Sequence, residues 1–183
     1  MNKKDFSWSK ELLEWASSIA WAVLIVFLVT TFVFRVVSVS GSSMENTLHD
    51  TERLYMNKFM YTPKKGDIIV FTPSSDPNRP YVKRVIATEG DTLFIDFTSG
   101  DVFVNDELID EPYIKERTKN SPGCMAGYSR ENPMKISEGY LWAMGDNRNY
   151  SKDSRVLGQI PTSEVMGHAL FRLWPLNKFG TLR

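Results

Sequence analysis

Cysteine is nearly missing from this chain of 183 residues. Cys124 stands alone, so no intrachain disulfide can brace the fold. Histidine is almost as scarce. His49 and His168 lie far apart, without the spacing that zinc sites use, and a metal is not expected. A charge excess of either sign is absent too. The 22 acidic and 22 basic residues cancel, and no basic block is long enough to follow a phosphate backbone, which argues against nucleic acid as a partner. There are no internal repeats, and beyond residue 35 no amphipathic helix pattern of useful length appears. The length suits one domain with a real core.

What the chain does have is one long apolar run. Between Glu14 and Arg35 lie 20 uncharged residues, roughly 30 Å of helix, about the thickness of a bilayer's hydrocarbon core. Its Val, Ile, Leu and Phe residues each contribute about −0.3 to −0.6 kcal/mol to insertion and outweigh Ser17, Ser18, Thr30 and Thr31. Residues 15–37 are therefore expected to form a transmembrane anchor. Lys3, Lys4 and Lys10 precede the run and only Arg35 follows it directly, so the positive-inside rule places residues 1–14 in the cytoplasm and residues 38–183 outside. A cleavable signal peptide is the alternative. The run is longer than the usual h-region, and Ser38-Val39-Ser40 is a poor cleavage site, which favours a retained anchor.

Past the anchor the pattern is that of short strands. Arg53 to Lys58 and Asp67 to Thr72 flank the breaker from Tyr61 to Gly66, and a loop with three prolines runs from Pro73 to Pro80. Tyr81 to Ala87, Thr92 to Phe97, and Val102 to Val104 follow, the last turning through Asn105-Asp106 into Glu107 to Ile109. Residues 115–135 look like a long surface loop or an insertion. Tyr140 to Met144 is apolar, His168 to Trp174 is strand-like, and Thr162 to Met166 suits one short turn. The part beyond the anchor is expected to be all-β.

Directly after the anchor comes Val39-Ser40-Gly41-Ser42-Ser43-Met44, a small hydroxyl-rich turn after a strand-like approach. A serine nucleophile here needs a base. His49 sits in the turn-like Leu48-His49-Asp50-Thr51 and is expected to be exposed. Lys83 is the better candidate: on a strand its side chain shares a face with Tyr81, Val85 and Ala87. An ammonium among apolar neighbours is desolvated, which lowers its pKa and favours the neutral amine, the form that can take a serine proton. Arg84 has equally apolar flanks in Val82 and Ile86, so periodicity does not choose between the two faces. A third segment, Gly145 to Arg155, is dense in opposite charges and hydroxyls and reads as a tight, side-chain-bonded loop.

Three segments together, Ser43-Met44 with Thr47-Leu48, Tyr81 to Val85 with Gly90-Asp91, and Gly145 to Arg148 with Ser151 and Asp153 to Arg155, resemble the sequence boxes of type I (leader) signal peptidases. The likeness runs from about residue 15 to about 176, and Glu111-Pro112-Tyr113 resembles a segment of the shorter Gram-positive members. The resemblance implies a membrane-anchored antiparallel β-sheet catalytic domain, of the type shared with LexA, with a small inserted β region at about 97–139. It implies Ser43 as nucleophile, Lys83 as general base, and the Ser43 backbone N–H as oxyanion donor. Ser151 would orient the lysine amine, and Asp146, Asp153, Arg84 and Arg155 would be ion-paired support. The implied substrates are the signal peptides of secreted pre-proteins at the bilayer surface, with no metal or organic cofactor.

Two departures stand out. Asn46 occupies a position where many members have proline, which is expected to loosen the turn without removing a reacting group. Gly41 occupies a position where some members have a serine that completes the oxyanion hole, leaving Ser42 or a water as second donor. Val39, Met44 and Ile86 are candidate walls of the substrate pockets. Penicillin-binding proteins and β-lactamases place lysine three residues after the serine, where this chain has Asn46, and LexA-type repressors lack the anchor. The alternative function is a catalytically silent homologue serving as a chaperone for surface-fibre (pilus) assembly.

Overall fold

A computed structural model describes residues 8–32, 35–119, 124–125 and 129–182. The chain divides after Arg35 into a helical unit and a β unit. The first holds helix α1 (Trp8–Phe32). No glycine or proline interrupts it, and at 1.5 Å per residue it is about 38 Å long. Apolar side chains are exposed on every side, Trp15, Ile19, Trp21, Val26 and Phe27 among them, as in a helix that spans lipid rather than one that packs on a core. The Ser17 and Ser18 hydroxyls both donate to Glu14 O at 2.9 Å, so neither needs water. Among the described residues this is the one helix long and apolar enough to cross a membrane. It is already helical at Trp8, seven residues before the expected start.

The second unit is built on an antiparallel sheet. Its strands are β1 (Arg35–Ser38), β2 (Arg53–Asn57), β3 (Ile68–Phe71), β4 (Tyr81–Thr88), β9 (Tyr140–Met144), β10 (Ile160–Pro161), β11 (Val165–Trp174) and β12 (Gly180–Thr181). They run in the order β1-β2-β11-β3-β4-β9-β10, with β12 on β11. β11 is the spine: its first half pairs with β3 and its second half with β2. Gly167 lies where these pairings meet, and a Cβ there would stand 2.5 Å from Asn57 O. β11 starts three residues before the expected His168, because the short turn is a 3-10 turn confined to Thr162–Glu164.

A smaller sheet of order β7-β6-β5-β8 comprises β5 (Thr92–Asp96), β6 (Asp101–Val104), β7 (Glu107–Leu108) and β8 (Met134–Lys135). Asn105 and Asp106 both have positive φ, 53° and 67°, and close the β6–β7 hairpin as a two-residue turn. Leu93, Ile95, Val102 and Val104 pack with Ile86, Trp142 and Met144 in one core cluster that joins this sheet to β4 and β9. The strands of the smaller sheet thus begin at Thr92, five residues before the range expected for the insertion. Residues 115–135 are not all surface. Thr118 and Cys124 are buried, Cys124 within the same cluster, and Met134–Lys135 is strand; residues 120–123 and 126–128 lie outside the described part.

Candidate active site

The turn that carries Ser43 hangs from two backbone bonds, Val39 N–H to Glu52 O at 2.8 Å and Thr51 N–H to Val39 O at 3.0 Å. Gly41, at φ 88°, donates its N–H to Asp50 Oδ1. Thr47 and Leu48 both donate to Met44 O, giving a helical turn whose apolar members, Met44 and Leu48, are buried in the core beneath the sheet. Ser43 is therefore presented on a turn anchored from below by its own neighbour. Asn46 has φ 93° and its Nδ2 donates to Tyr113 O at 3.3 Å. The turn is tied at this residue rather than loosened. Proline, fixed near φ −65°, cannot adopt that backbone. Asn46→Pro is expected to lose about 1–3 kcal/mol of stability, whereas Asn46→Gly should melt close to the parent; thermal denaturation followed by circular dichroism checks both.

Lys83 comes from β4, paired on one side with β3 and on the other with β9. Its cross-strand partner is Ile69, which shares a cluster with Val85, Phe71 and the half-buried Tyr81. That settles the face. Period two holds from Tyr81 to Val85, but a register shift against β9 falls between Val85 and Ala87, and Ala87 packs in the other cluster beside Ile86. Lys83 is 2% exposed. Its Nζ lies 2.7 Å from Ser43 Oγ and 2.7 Å from Val82 O, and 5.4 Å from the Tyr81 ring centroid. Burial lowers its pKa to about 8, against the upward pull of the Asp153 and Asp146 carboxylates and with the help of Arg155. His49 keeps its exposed ring near Glu52, at 3.7 Å.

Around the pair stands a buried ionic frame. Arg84, on the opposite face of β4, makes a two-pronged contact with Asp146, Nε to Oδ1 at 3.0 Å and Nη2 to Oδ2 at 2.8 Å. Thr47 also donates to Asp146, so the same carboxylate ties the Ser43 turn to β4. Asp153 caps helix α2 (Ser154–Leu157) and accepts from Gly145 N–H, Arg155 N–H and the Arg155 guanidinium. Burial alone would raise its pKa, but the bonds from Arg155 and Gly145 hold it below the usual carboxylate range. Gly145 has no room for a side chain, since a Cβ would collide with Ser43 O and Ser151 Oγ. Ser151 is thus beside the site. Its hydroxyl is buried near the Asp153 carboxylate, which it helps to hold in the charged form, and the lysine amine bonds to Ser43 and Val82.

Some members of the frame were not given roles by the sequence. Arg148 is buried and donates to Gly145 O, Thr118 Oγ1 and both oxygens of Glu111. The Tyr113 ring lies 4.0 Å from the Arg84 guanidinium carbon. Glu111 and Tyr113 therefore strap the smaller sheet to the active-site loops, and the only sequence signal for them was the Glu111-Pro112-Tyr113 segment. Val39, Met44, Tyr81 and Lys83 line an open cleft of about 420 Å³. Ile86 is not among its walls; it lies in the core under the smaller sheet. A hollow of about 490 Å³ along Ile109 to Arg117 is larger but is lined by neither Ser43 nor Lys83.

A serine hydroxyl against a desolvated lysine, under an open cleft on an antiparallel sheet, has the layout of a Ser/Lys hydrolase. The family described as "Signal peptidase, peptidase S26" matches residues 12–174. Signal peptidase IB of Staphylococcus aureus is 36% identical over 182 residues, covering 93% of each chain. Signal peptidase I of Bacillus licheniformis is 35% identical over 182 residues, covering 97% of this chain and 94% of its own. A crystal structure of a signal peptidase I from Enterococcus faecalis superimposes with a TM-score of 0.48 at 25% identity, over 59% of this chain and 97% of that one. The chain belongs to the signal peptidase family, the peptidases that remove signal peptides from exported pre-proteins.

Proposed function

We propose that Ser43 is the nucleophile and Lys83 the general base in the cleavage of pre-proteins after their signal peptides. The observation that carries this is the 2.7 Å contact between Ser43 Oγ and a buried Lys83 amine. In its neutral form the amine has two N–H groups and one lone pair. Val82 O, an acceptor only, takes one N–H and leaves the lone pair for the Ser43 hydroxyl. The second N–H is left for Ser151 Oγ, which is buried beside Gly145 and near the Asp153 carboxylate, and this supports Ser151 as the residue that orients the amine. Ser43 Oγ attacks the scissile carbonyl while its proton passes to Lys83, and the Ser43 N–H donates to the oxyanion. The amine leaving group takes the proton from Lys83, and the signal peptide remains as an acyl ester. Lys83 then activates a water that releases it. No metal or organic cofactor enters, and Asp146, Asp153, Arg84 and Arg155 hold the frame without reacting.

The protonated lysine cannot act as base, so the rate should climb about tenfold per pH unit below 8 and level off above it. Incubating the detergent-solubilised protein with a pre-protein across that range, beside a Ser43→Ala control, tests the assignment. A flat profile, or equal cleavage by the control, would sink it. The second reading, a silent chaperone of fibre assembly, has no feature here that favours it over cleavage, since both reacting groups are present and in contact.

The apolar α1 fits a lipid anchor, with residues 1–14 cytoplasmic and the β unit outside. Protease added to intact cells should then digest residues beyond about 38 and spare the N-terminal segment. A protected β unit would reverse the orientation.

A further inference from the structure

Asn147 sits between two buried residues that are each fixed by a partner, Asp146 by Arg84 and Arg148 by Glu111. It is itself 2% exposed and does not line the cleft. Its backbone N–H donates to Ser43 O at 3.1 Å, and its Nδ2 donates to Ser42 O at 3.0 Å. One residue thus grips the carbonyls of two successive peptide units, one on each side of the Ser43 Cα. The Ser42–Ser43 peptide is planar and trans, so its carbonyl and the Ser43 N–H point in opposite directions. Holding Ser42 O toward Asn147 therefore turns the Ser43 N–H away from it. The Glu45 N–H shares Ser42 O at 3.0 Å but has no hold on Ser43 O. The arrangement leaves Asn147 Oδ1 buried with no partner among the described residues, an unfavourable state that native interiors rarely keep without a reason.

We infer that Asn147 is a positioning residue that sets the direction of the Ser43 N–H, and so aims the oxyanion donor of the proposed reaction. The inference rests on the reading of Ser43 as nucleophile and oxyanion donor. Because Asn147 touches neither the cleft nor Lys83, its loss should act on the transition state alone.

The test uses the full-length detergent-solubilised protein with Asn147→Ala, and with Asn147→Asp, which keeps the shape but has no side-chain N–H. Both should stay folded and lose about 10²-fold in kcat, the lower end of what one oxyanion donor is worth, since Glu45 still holds Ser42 O. KM should stay within about twofold. In Asn147→Ala the acid limb should keep its midpoint. A peptide aldehyde, which forms a tetrahedral adduct on a serine, should lose affinity in step with kcat, while a cleaved signal peptide, which binds without an adduct, should not. Unchanged kcat, a loss confined to KM, a displaced acid limb in Asn147→Ala, or failure of both variants to fold would each overturn the inference. Failure of the underlying reading looks different: there Ser43→Ala would stay active and the aldehyde would not bind the parent protein.

Discussion

A Lys83→Arg variant should fold and fail to cleave. The position asks for an amine that can be neutral, and arginine stays protonated at every workable pH, so it cannot accept the serine proton. Charge without basicity is no substitute. Turnover should fall by about 10⁴-fold or more, the upper end of what a general base contributes, and raising the pH should recover none of it. Because the longer guanidinium must enter a site that is only 2% exposed, Lys83→Met is the companion variant. It keeps the length, removes the charge, and should be equally inactive while its circular dichroism matches the parent. Substantial cleavage by a folded Lys83→Arg protein would rule out the general-base role and leave Lys83 a purely electrostatic one. His49 is the next residue to test as a base, although its exposed ring lies beside Glu52 and makes no hydrogen bond to Ser43.

The parts of this fold that were legible in the sequence are those with a local cause. Tyr140 to Met144 is legible as an apolar run, and the structure makes the same five residues a strand. The Asn105-Asp106 turn was read because those residues tolerate positive φ. Strands of two residues, β8, β10 and β12, have no period to detect. The choice between Lys83 and Arg84 is out of reach for a related reason: both have apolar flanks and both pair with a buried isoleucine, and only the contact of Lys83 with Ser43, against that of Arg84 with Asp146, tells them apart. The frame is the least local part. Glu111 meets Arg148 across 37 positions, and Asn147 meets Ser42 across 105. No spacing rule within a helix or strand reaches that far. Family likeness named several of the partners without showing who holds whom, and it gave no role to Asn147, Arg148 or Glu111.

The frame also carries the second large effect, at Asp153. This carboxylate is fully buried and receives four N–H bonds, three of them from Arg155. Asp153→Asn would strand the Arg155 guanidinium in the interior and turn an amide N–H toward other donors. Removing one partner of a buried ion pair typically loses 3–5 kcal/mol, about 6–20 °C in Tm for a unit of this size. A second readout separates this from general loosening. The Asp153 carboxylate is the strongest of the charges that hold the Lys83 pKa up, so without it the pKa should drop below 8. The acid limb of the activity profile, in whatever fraction remains folded, should then move to lower pH. Adding Arg155→Met to Asp153→Asn removes the stranded charge as well. The double variant should regain part of the lost Tm, because no charge is then left buried without its partner. It should also bring the limb part of the way back, since Arg155 pulls the lysine pKa down. An Asp153→Asn protein that melts with the parent and keeps its acid limb in place would mean that this ion pair neither supports the fold nor tunes the base.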